Sequence, residues 1–264
     1  MAAGPSLTRL LIMIDTTPTT QPPTTGHRSA PVISGRGLTM TYGSGPSTVH
    51  ALAGVDLDVH PGSLAVMGPS GSGKTSLLHC LAGIVRPSSG HVQYQGTDLT
   101  TLSDRLRTRL RRDDFGFVFQ SGQLLAELPA NENVALPLML GGLSLREAVG
   151  RADVWLGRLG LAGMERRRPG ELSGGQLQRV AIARALVTEP RIVFADEPTG
   201  ALDQRTGAEV MGLLEHAVVA TGAALVVVTH DPGVARTCAR TVTMADGRIV
   251  AEHHRPQAAT AVAR

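Results

Sequence analysis

The segment Gly68-Pro69-Ser70-Gly71-Ser72-Gly73-Lys74-Thr75 has the residue types and spacing of a phosphate cradle, the pattern G-x-x-x-x-G-K-[ST]. Glycines let successive backbone N–H groups turn toward one anion, and a helix that starts there adds the positive end of its dipole. Lys74 can then reach the β- and γ-phosphates of a nucleoside triphosphate, and Thr75 can offer its hydroxyl to Mg²⁺. Lys74 is also the only lysine in the chain; the rest of the 25 Lys and Arg residues are arginine. A position that needs a compact ammonium on a thin stem accounts for that choice, with chance as the plain alternative.

A second cluster follows the run Arg191-Ile192-Val193-Phe194-Ala195, which ends in Asp196 and Glu197. Two carboxylates at the carboxyl end of a buried strand lie where ligands bind in open α/β sheets. Asp196 suits the acid linked to Mg²⁺, and Glu197 is placed to orient or deprotonate a water. The alternative is two acids that cap the turn at Pro198. His230 ends another apolar run, Ala224 to Thr229. It could sense a terminal phosphate, or be a histidine satisfied at a strand end.

These residues need elements to hold them. Val32 to Tyr42 and Val55 to Val59 read as short strands, and Ser63 to Met67 as a strand that runs into the cradle. A helix from Gly73 to about Ala82 is expected next, stopped by Gly83 and Pro87. His91 to Gln95 and Phe115 to Phe119 read as strands. Asn131 to Leu140, Leu145 to Leu159 and Gly174 to Val187 have helical spacing, with little strand signal among them. Sheet signals return at Ile192 to Ala195 and Ala224 to Thr229, with a helix from about Gln204 to Ala220 between them. Thr241 to Met244 and Arg248 to Ala251, joined by Asp246-Gly247, predict a terminal hairpin. Strands that alternate with helices predict a parallel α/β sheet.

Composition narrows the class. A chain of 264 residues, 42% hydrophobic, can bury a substantial core. The formal charge is only +3. The basic clusters Arg105 to Arg112 and Arg166 to Arg168 are expected to be solvated helix faces, and no nucleic-acid partner is expected. The two cysteines, Cys80 and Cys238, have no disulfide or metal spacing and are expected to be buried reduced thiols, consistent with cytoplasm. No stretch reaches the ~20 apolar residues that cross a bilayer. Leu10 to Ile14 is too short for a signal-peptide core, and residues 1–31 are expected to be a disordered Thr/Pro-rich tail.

Leu172-Ser173-Gly174-Gly175-Gln176, followed by Gln178-Arg179, resembles the signature of ABC transporter ATP-binding proteins. A Ser cap on a helix start reads the same residues at the same time, and leaves N–H groups and the Ser173 hydroxyl free to meet an anion. The other landmarks match in order: Tyr42 resembles the aromatic that stacks on adenine, Gln120 the glutamine that touches Mg²⁺ and water, Ala201-Leu202-Asp203 the D-loop, and His230 the switch histidine. Ser76, next to the cradle, is placed with the nucleotide-binding set. The resemblance implies an α/β P-loop NTPase (RecA-like) core with an antiparallel β-subdomain and an inserted α-helical subdomain. It places the ATPase domain at 32–256, with the RecA-like and β lobe about 32–120 and 187–256, the helical lobe about 121–186, and a flexible end at 257–264. It implies ATP and Mg²⁺ as cofactors and catalysis by Glu197, His230, Gln120 and Lys74. It also implies a homodimer on ATP binding, in which each Ser173 helix faces the cradle of the twin.

Phe117-Val118-Phe119-Gln120, Leu124-Leu125, Glu132 to Leu138 and Asp196 to Asp203 are similar to the MacB/LolD/FtsE branch. That similarity implies a separate integral-membrane permease, FtsX- or MacB-like, and a cytoplasmic, peripheral place on the inner face of the membrane. Ser121-Gly122-Gln123 and Pro129 depart from the branch where the permease should touch. The segment Gln120 to Leu140 is expected to line that contact, with Leu124 and Leu125 as either core or contact. An importer subunit, or a soluble ATPase not coupled to transport, is the alternative.

Overall fold

The computed structural model describes residues 30–255. The tail expected at 1–31 and the end expected at 257–264 lie almost wholly or wholly outside them. Ten strands and seven helices follow one another: β1 Ile33–Tyr42, β2 Val49–Val59, β3 Gly62–Met67, α1 Lys74–Leu81, β4 Ser89–Tyr94, β5 Thr97–Asp98, α2 Asp104–Asp113, β6 Phe115–Phe119, α3 Ala130–Leu140, α4 Leu145–Arg158, α5 Gly174–Leu186, β7 Ile192–Asp196, α6 Gln204–Thr221, β8 Ala224–Val228, α7 Pro232–Thr237, β9 Arg240–Ala245 and β10 Arg248–His254.

Two sheets result. The smaller has the order β2-β1-β4-β5 and is antiparallel throughout. The larger has the order β10-β9-β3-β8-β7-β6, parallel except for β10 at its edge. Its strands alternate between two cores with the strand period of two. Leu64, Val66, Ile192, Phe194, Val226 and Val228 face α1 and the antiparallel sheet. Ala65, Val193, Ala195, Leu225 and Val227 face the side where residues of α3 to α6 pack. A strand buried on both faces has no room for a polar alternation, hence the unbroken apolar runs in the sequence.

The helix starts were written locally. Ser103, Ser144, Ser173, Asp203 and Asp231 each accept a backbone N–H at the first turn of their helices, and Ser144 and Ser173 close full capping boxes with Glu147 and Gln176. Gln95-Gly96 and Asp246-Gly247 are turns with both central residues at positive φ, as two-residue hairpins require.

Three expectations change. The basic run Arg166 to Arg168 is exposed, but it lies in the turn that leads to Pro169 and not on a helix. The strand expected at Val55 to Val59 begins at Val49, because Thr41 and Met40 of β1 pair with His50 and Leu52. The basic run Arg105 to Arg112 is α2 but not simply a solvated face: Arg107 is buried, and Arg111 donates to the Gly83 carbonyl at 2.6 Å.

Candidate functional site

All four strand ends that matter open on one edge of the large sheet. β3 runs into the cradle, β7 ends at Asp196, β8 leads to Thr229 and His230, and β6 leads to Gln120. In the cradle, Gly73 sits at φ +97°, and a Cβ there would stand 2.1 Å from the Ala51 carbonyl oxygen. No other residue type fits that approach. Lys74 opens α1 with its side chain buried, and its Nζ donates to the carbonyls of Gly68 and Pro69, both at 2.9 Å. An ammonium has three donors. Two hold the loop in shape, which leaves one for an anion.

Thr75 reaches past β8 to the end of β7, where its Oγ1 donates to Asp196 Oδ1 at 3.3 Å. Burial pushes the Asp196 carboxyl up from its usual range, and the Thr75 hydrogen bond opposes that. A hydroxyl and a carboxylate held together give the hard oxygen donors that Mg²⁺ takes, and a divalent cation would offset the desolvation of Asp196. The residues present therefore fit the metal.

Glu197 follows in the left-handed region at φ 47°, with its N–H on the Val228 carbonyl at 2.9 Å. A non-glycine residue there carries strain, and such strain clusters at functional sites. The turn swings the carboxylate off the strand line. Its Oε1 lies 2.9 Å from His230 Nδ1; the glutamate is mostly buried and the imidazole mostly exposed. A carboxylate held by an imidazole at a sheet edge can accept a proton from a water on its open side.

The Ser173 segment sits elsewhere. Ser173 N donates to Gln176 Oε1 at 2.9 Å, and Gln176 N to Ser173 Oγ at 3.4 Å. Ser173 and Gly174 are exposed, so the N-terminal end of α5 faces outward. Among the described residues no hydrogen bond or ion pair joins this segment to the Lys74 cradle.

Residues 52–200 match the ABC transporter family. The MacB macrolide export ATP-binding/permease protein of Paracoccus denitrificans is 48% identical over 84% of this chain and 33% of that protein. The lipoprotein-releasing system ATP-binding protein LolD of Geobacter metallireducens is 46% identical over 81% of this chain and 96% of that protein. The chain belongs to the ABC transporter family. Its fold agrees: the dimeric post-hydrolysis structure of the ATP-binding cassette MJ0796, bound to ADP and Pi, superposes with a TM-score of 0.77 at 40% identity, covering 84% of this chain and 98% of that one. The chain spans about a third of the length of the MacB relatives, and nearly all of LolD.

Within this ABC cassette the expected residues divide. Thr75 with Asp196, and Glu197 with His230, are brought together. Tyr42, exposed at the end of β1, has its hydroxyl 3.4 Å from Ser76 Oγ, beside the first turn of α1. Gln120 follows Phe119, which pairs with Asp196, but among the described residues its side chain makes no hydrogen bond to the acids: its carboxamide nitrogen lies against Gly200, 2.9 Å from where a Cβ would stand. Asp203 caps α6, with Oδ1 accepting from Arg205 N and Thr206 N at 3.1 and 3.0 Å; hydrogen bonding from Thr206 holds its carboxyl below the usual range. Cys80 and Cys238 are free and buried, and burial pushes their thiols up to about 11 and about 12. Among the described residues no helix is long and apolar enough to cross a membrane.

Sequence reasoning gave no structural role to three side chains near this edge: Asn133 and Gln178 entered only as part of the resemblance, and Arg184 not at all. Asn133 is fully buried; its Oδ1 accepts from Leu125 N at 2.7 Å and its Nδ2 donates to the carbonyls of Leu125 and Leu128 at 3.0 and 2.9 Å. Gln178 and Arg184 of α5 bind the loop around Gln120. A polar residue inside an otherwise apolar helix face was the available signal. Leu124 and Leu125 also separate: Leu124 packs against the core, and Leu125 is exposed.

Proposed function

We propose that the chain binds and hydrolyses ATP with Mg²⁺ in sites shared by two copies, and that this cycle drives a separate membrane permease of the MacB or LolD kind. The observation that carries the reading is the convergence at one sheet edge of the Lys74 cradle, the Thr75–Asp196 pair at 3.3 Å and the Glu197–His230 pair at 2.9 Å.

Residues 68 to 76 cradle the phosphates, with the free donor of Lys74 on the terminal ones. Tyr42 presents its ring face to the base. Thr75 and Asp196 would hold Mg²⁺, with Gln120 joining them when its loop closes. The metal, when bound, neutralises charge on the transferring phosphoryl group. Glu197 accepts the proton of the attacking water, and His230 fixes the carboxylate through Nδ1. Ser173, Gly174, Gly175 and Gln176 of one copy meet the nucleotide of the other, since their helix end is exposed and makes no hydrogen bond to their own cradle. Asp203 borders that contact. Nucleotide then bonds both copies, and hydrolysis removes the bond.

The permease contact is assigned to a groove of about 430 Å³ between β6 and α3, walled by Phe117, Phe119, Leu136, Pro137 and Leu140. The relatives named as export and lipoprotein-release proteins support that direction of coupling.

The test is the Glu197→Gln protein with saturating ATP and Mg²⁺, its mass read by light scattering. Dimer with ATP and monomer without is the expected result. A monomer under both conditions would remove the shared site.

A further inference from the structure

We propose that Arg184 is a positioning residue that fastens the loop carrying Gln120 to the signature helix, so that the two move as one body. This rests on the function proposed above and names a part that it does not include.

The geometry is specific. Arg184 Nη1 donates to the Gln123 carbonyl at 2.7 Å and Nη2 to the Gly122 carbonyl at 2.6 Å. Two turns earlier on the same helix, buried Gln178 donates from Nε2 to the Phe119 carbonyl at 3.0 Å. Three backbone oxygens, one before Gln120 and two after it, are therefore held by the helix that Ser173 caps.

The loop needs that support. Gly122 and Gln123 both lie in the left-handed region, at φ 67° and 48°. Left-handed backbone at a non-glycine residue persists only when its surroundings impose it. The planar fork of a guanidinium spans two neighbouring carbonyls with parallel donors; an ammonium is a point charge and does not. Arg184 has no carboxylate partner among the described residues, and burial pulls its guanidinium below its usual range. A largely desolvated cation is costly unless hydrogen-bonded, so the two carbonyls and the arginine hold each other in place.

The mechanical consequence follows from what α5 touches. Its N-terminal end carries the residues proposed to meet the twin's nucleotide. It is also tied to α6 through Arg179 and Glu209 at 3.5 Å. When Ser173 engages the other copy's ATP, the displacement of α5 carries the loop and brings Gln120 off Gly200 toward its own metal site. One closure event then completes both sites of the pair.

The experiment compares steady-state ATP hydrolysis and fluorescent ATP-analogue binding for the full chain, Arg184→Met, Arg184→Lys, Gln120→Ala and the Arg184→Met/Gln120→Ala double variant. Expected are a kcat about tenfold lower in Arg184→Met with analogue affinity within about twofold, and no further loss when the change is added to Gln120→Ala, because residues that act as a unit are non-additive. Arg184→Lys is expected to fail to restore kcat, since it keeps the charge and loses the fork. If Arg184→Met does not fold, Arg184→Lys alone and combined with Gln120→Ala serves the same comparison. A kcat within about twofold of the parent, or losses that multiply in the double variant, overturns the proposal. An unmodified chain with no ATP turnover would instead overturn the function on which it rests.

Discussion

Glu197 Oε1 and His230 Nδ1 lie 2.9 Å apart, although 33 residues separate them in sequence and they follow adjacent strands. The imidazole is exposed and the carboxylate is mostly buried, so in the function proposed above the histidine would brace the base from outside. Glu197→Gln is expected to lower kcat by about 10²–10⁴, the range of a positioned general base, with nucleotide still bound. His230→Ala is expected to lower kcat less, by about tenfold or more, and Glu197→Gln/His230→Ala to match Glu197→Gln alone. Single-turnover hydrolysis of radiolabelled ATP reads both. Independent losses in the double variant would mean that the pair does not act as a unit.

Lys74 holds its own loop, and is proposed to hold the nucleotide's phosphates as well. Lys74→Ala is therefore expected to weaken ATP-analogue binding at least about tenfold, roughly 1.4 kcal/mol, and to free the Gly68 and Pro69 carbonyls. Lys74→Arg should not rescue binding, because a planar fork does not fit where a buried ammonium meets two converging carbonyls. Fluorescence titration with Mg²⁺ present distinguishes the three proteins; equal affinities would refute the assignment.

Asp196 gives a pH and metal prediction. Its folded carboxyl is raised above the unfolded value, chiefly by burial. A raised carboxyl contributes stability that is full below the unfolded value and is lost as pH rises through the folded one. At neutral pH the ionised group is thus a burden on the metal-free protein. Asp196→Asn is expected to melt higher than the parent at neutral pH, and the gap should close as pH falls through the carboxylate range. Mg²⁺ with ATP should raise the melting temperature of the parent far more than that of the variant. Differential scanning fluorimetry across pH would show a gap independent of pH if the idea is wrong.

Ser173 caps α5 and is proposed to meet the twin's nucleotide. Ser173→Ala is expected to cost about 1 kcal/mol in urea unfolding, the usual worth of an N-cap. Its loss in ATP-driven dimerisation should exceed that, seen by sedimentation of the Glu197→Gln background. Unchanged dimerisation would confine Ser173 to capping.

Leu124 and Leu125 should now behave differently. Leu124 is half-buried against the core, and Leu125 stands exposed on a loop pinned by Asn133. Leu124→Asp is expected to lower the melting temperature, since it puts a charge where an apolar side chain packs against the core. Leu125→Asp should keep stability and ATP turnover while co-purification with the permease fails. Retained co-purification would place the contact elsewhere.

The sequence by itself determined whatever is encoded over a few residues. The Gly68 to Thr75 cradle, the Ser173 capping box and the Asp246-Gly247 hairpin are local backbone requirements that few residue types satisfy, and the unbroken apolar runs of β7 and β8 mark strands buried on both faces. The tertiary structure alone decided what meets across the chain. Thr75 touches Asp196 over 121 residues because β7 ends on the edge where α1 begins. Gln120 rests on Gly200, and Arg184 grips the Gln120 loop over 61 and 62 residues, because α5 packs along β6. Those pairings depend on strand order and on which face a helix buries, and residue spacing carries no record of either.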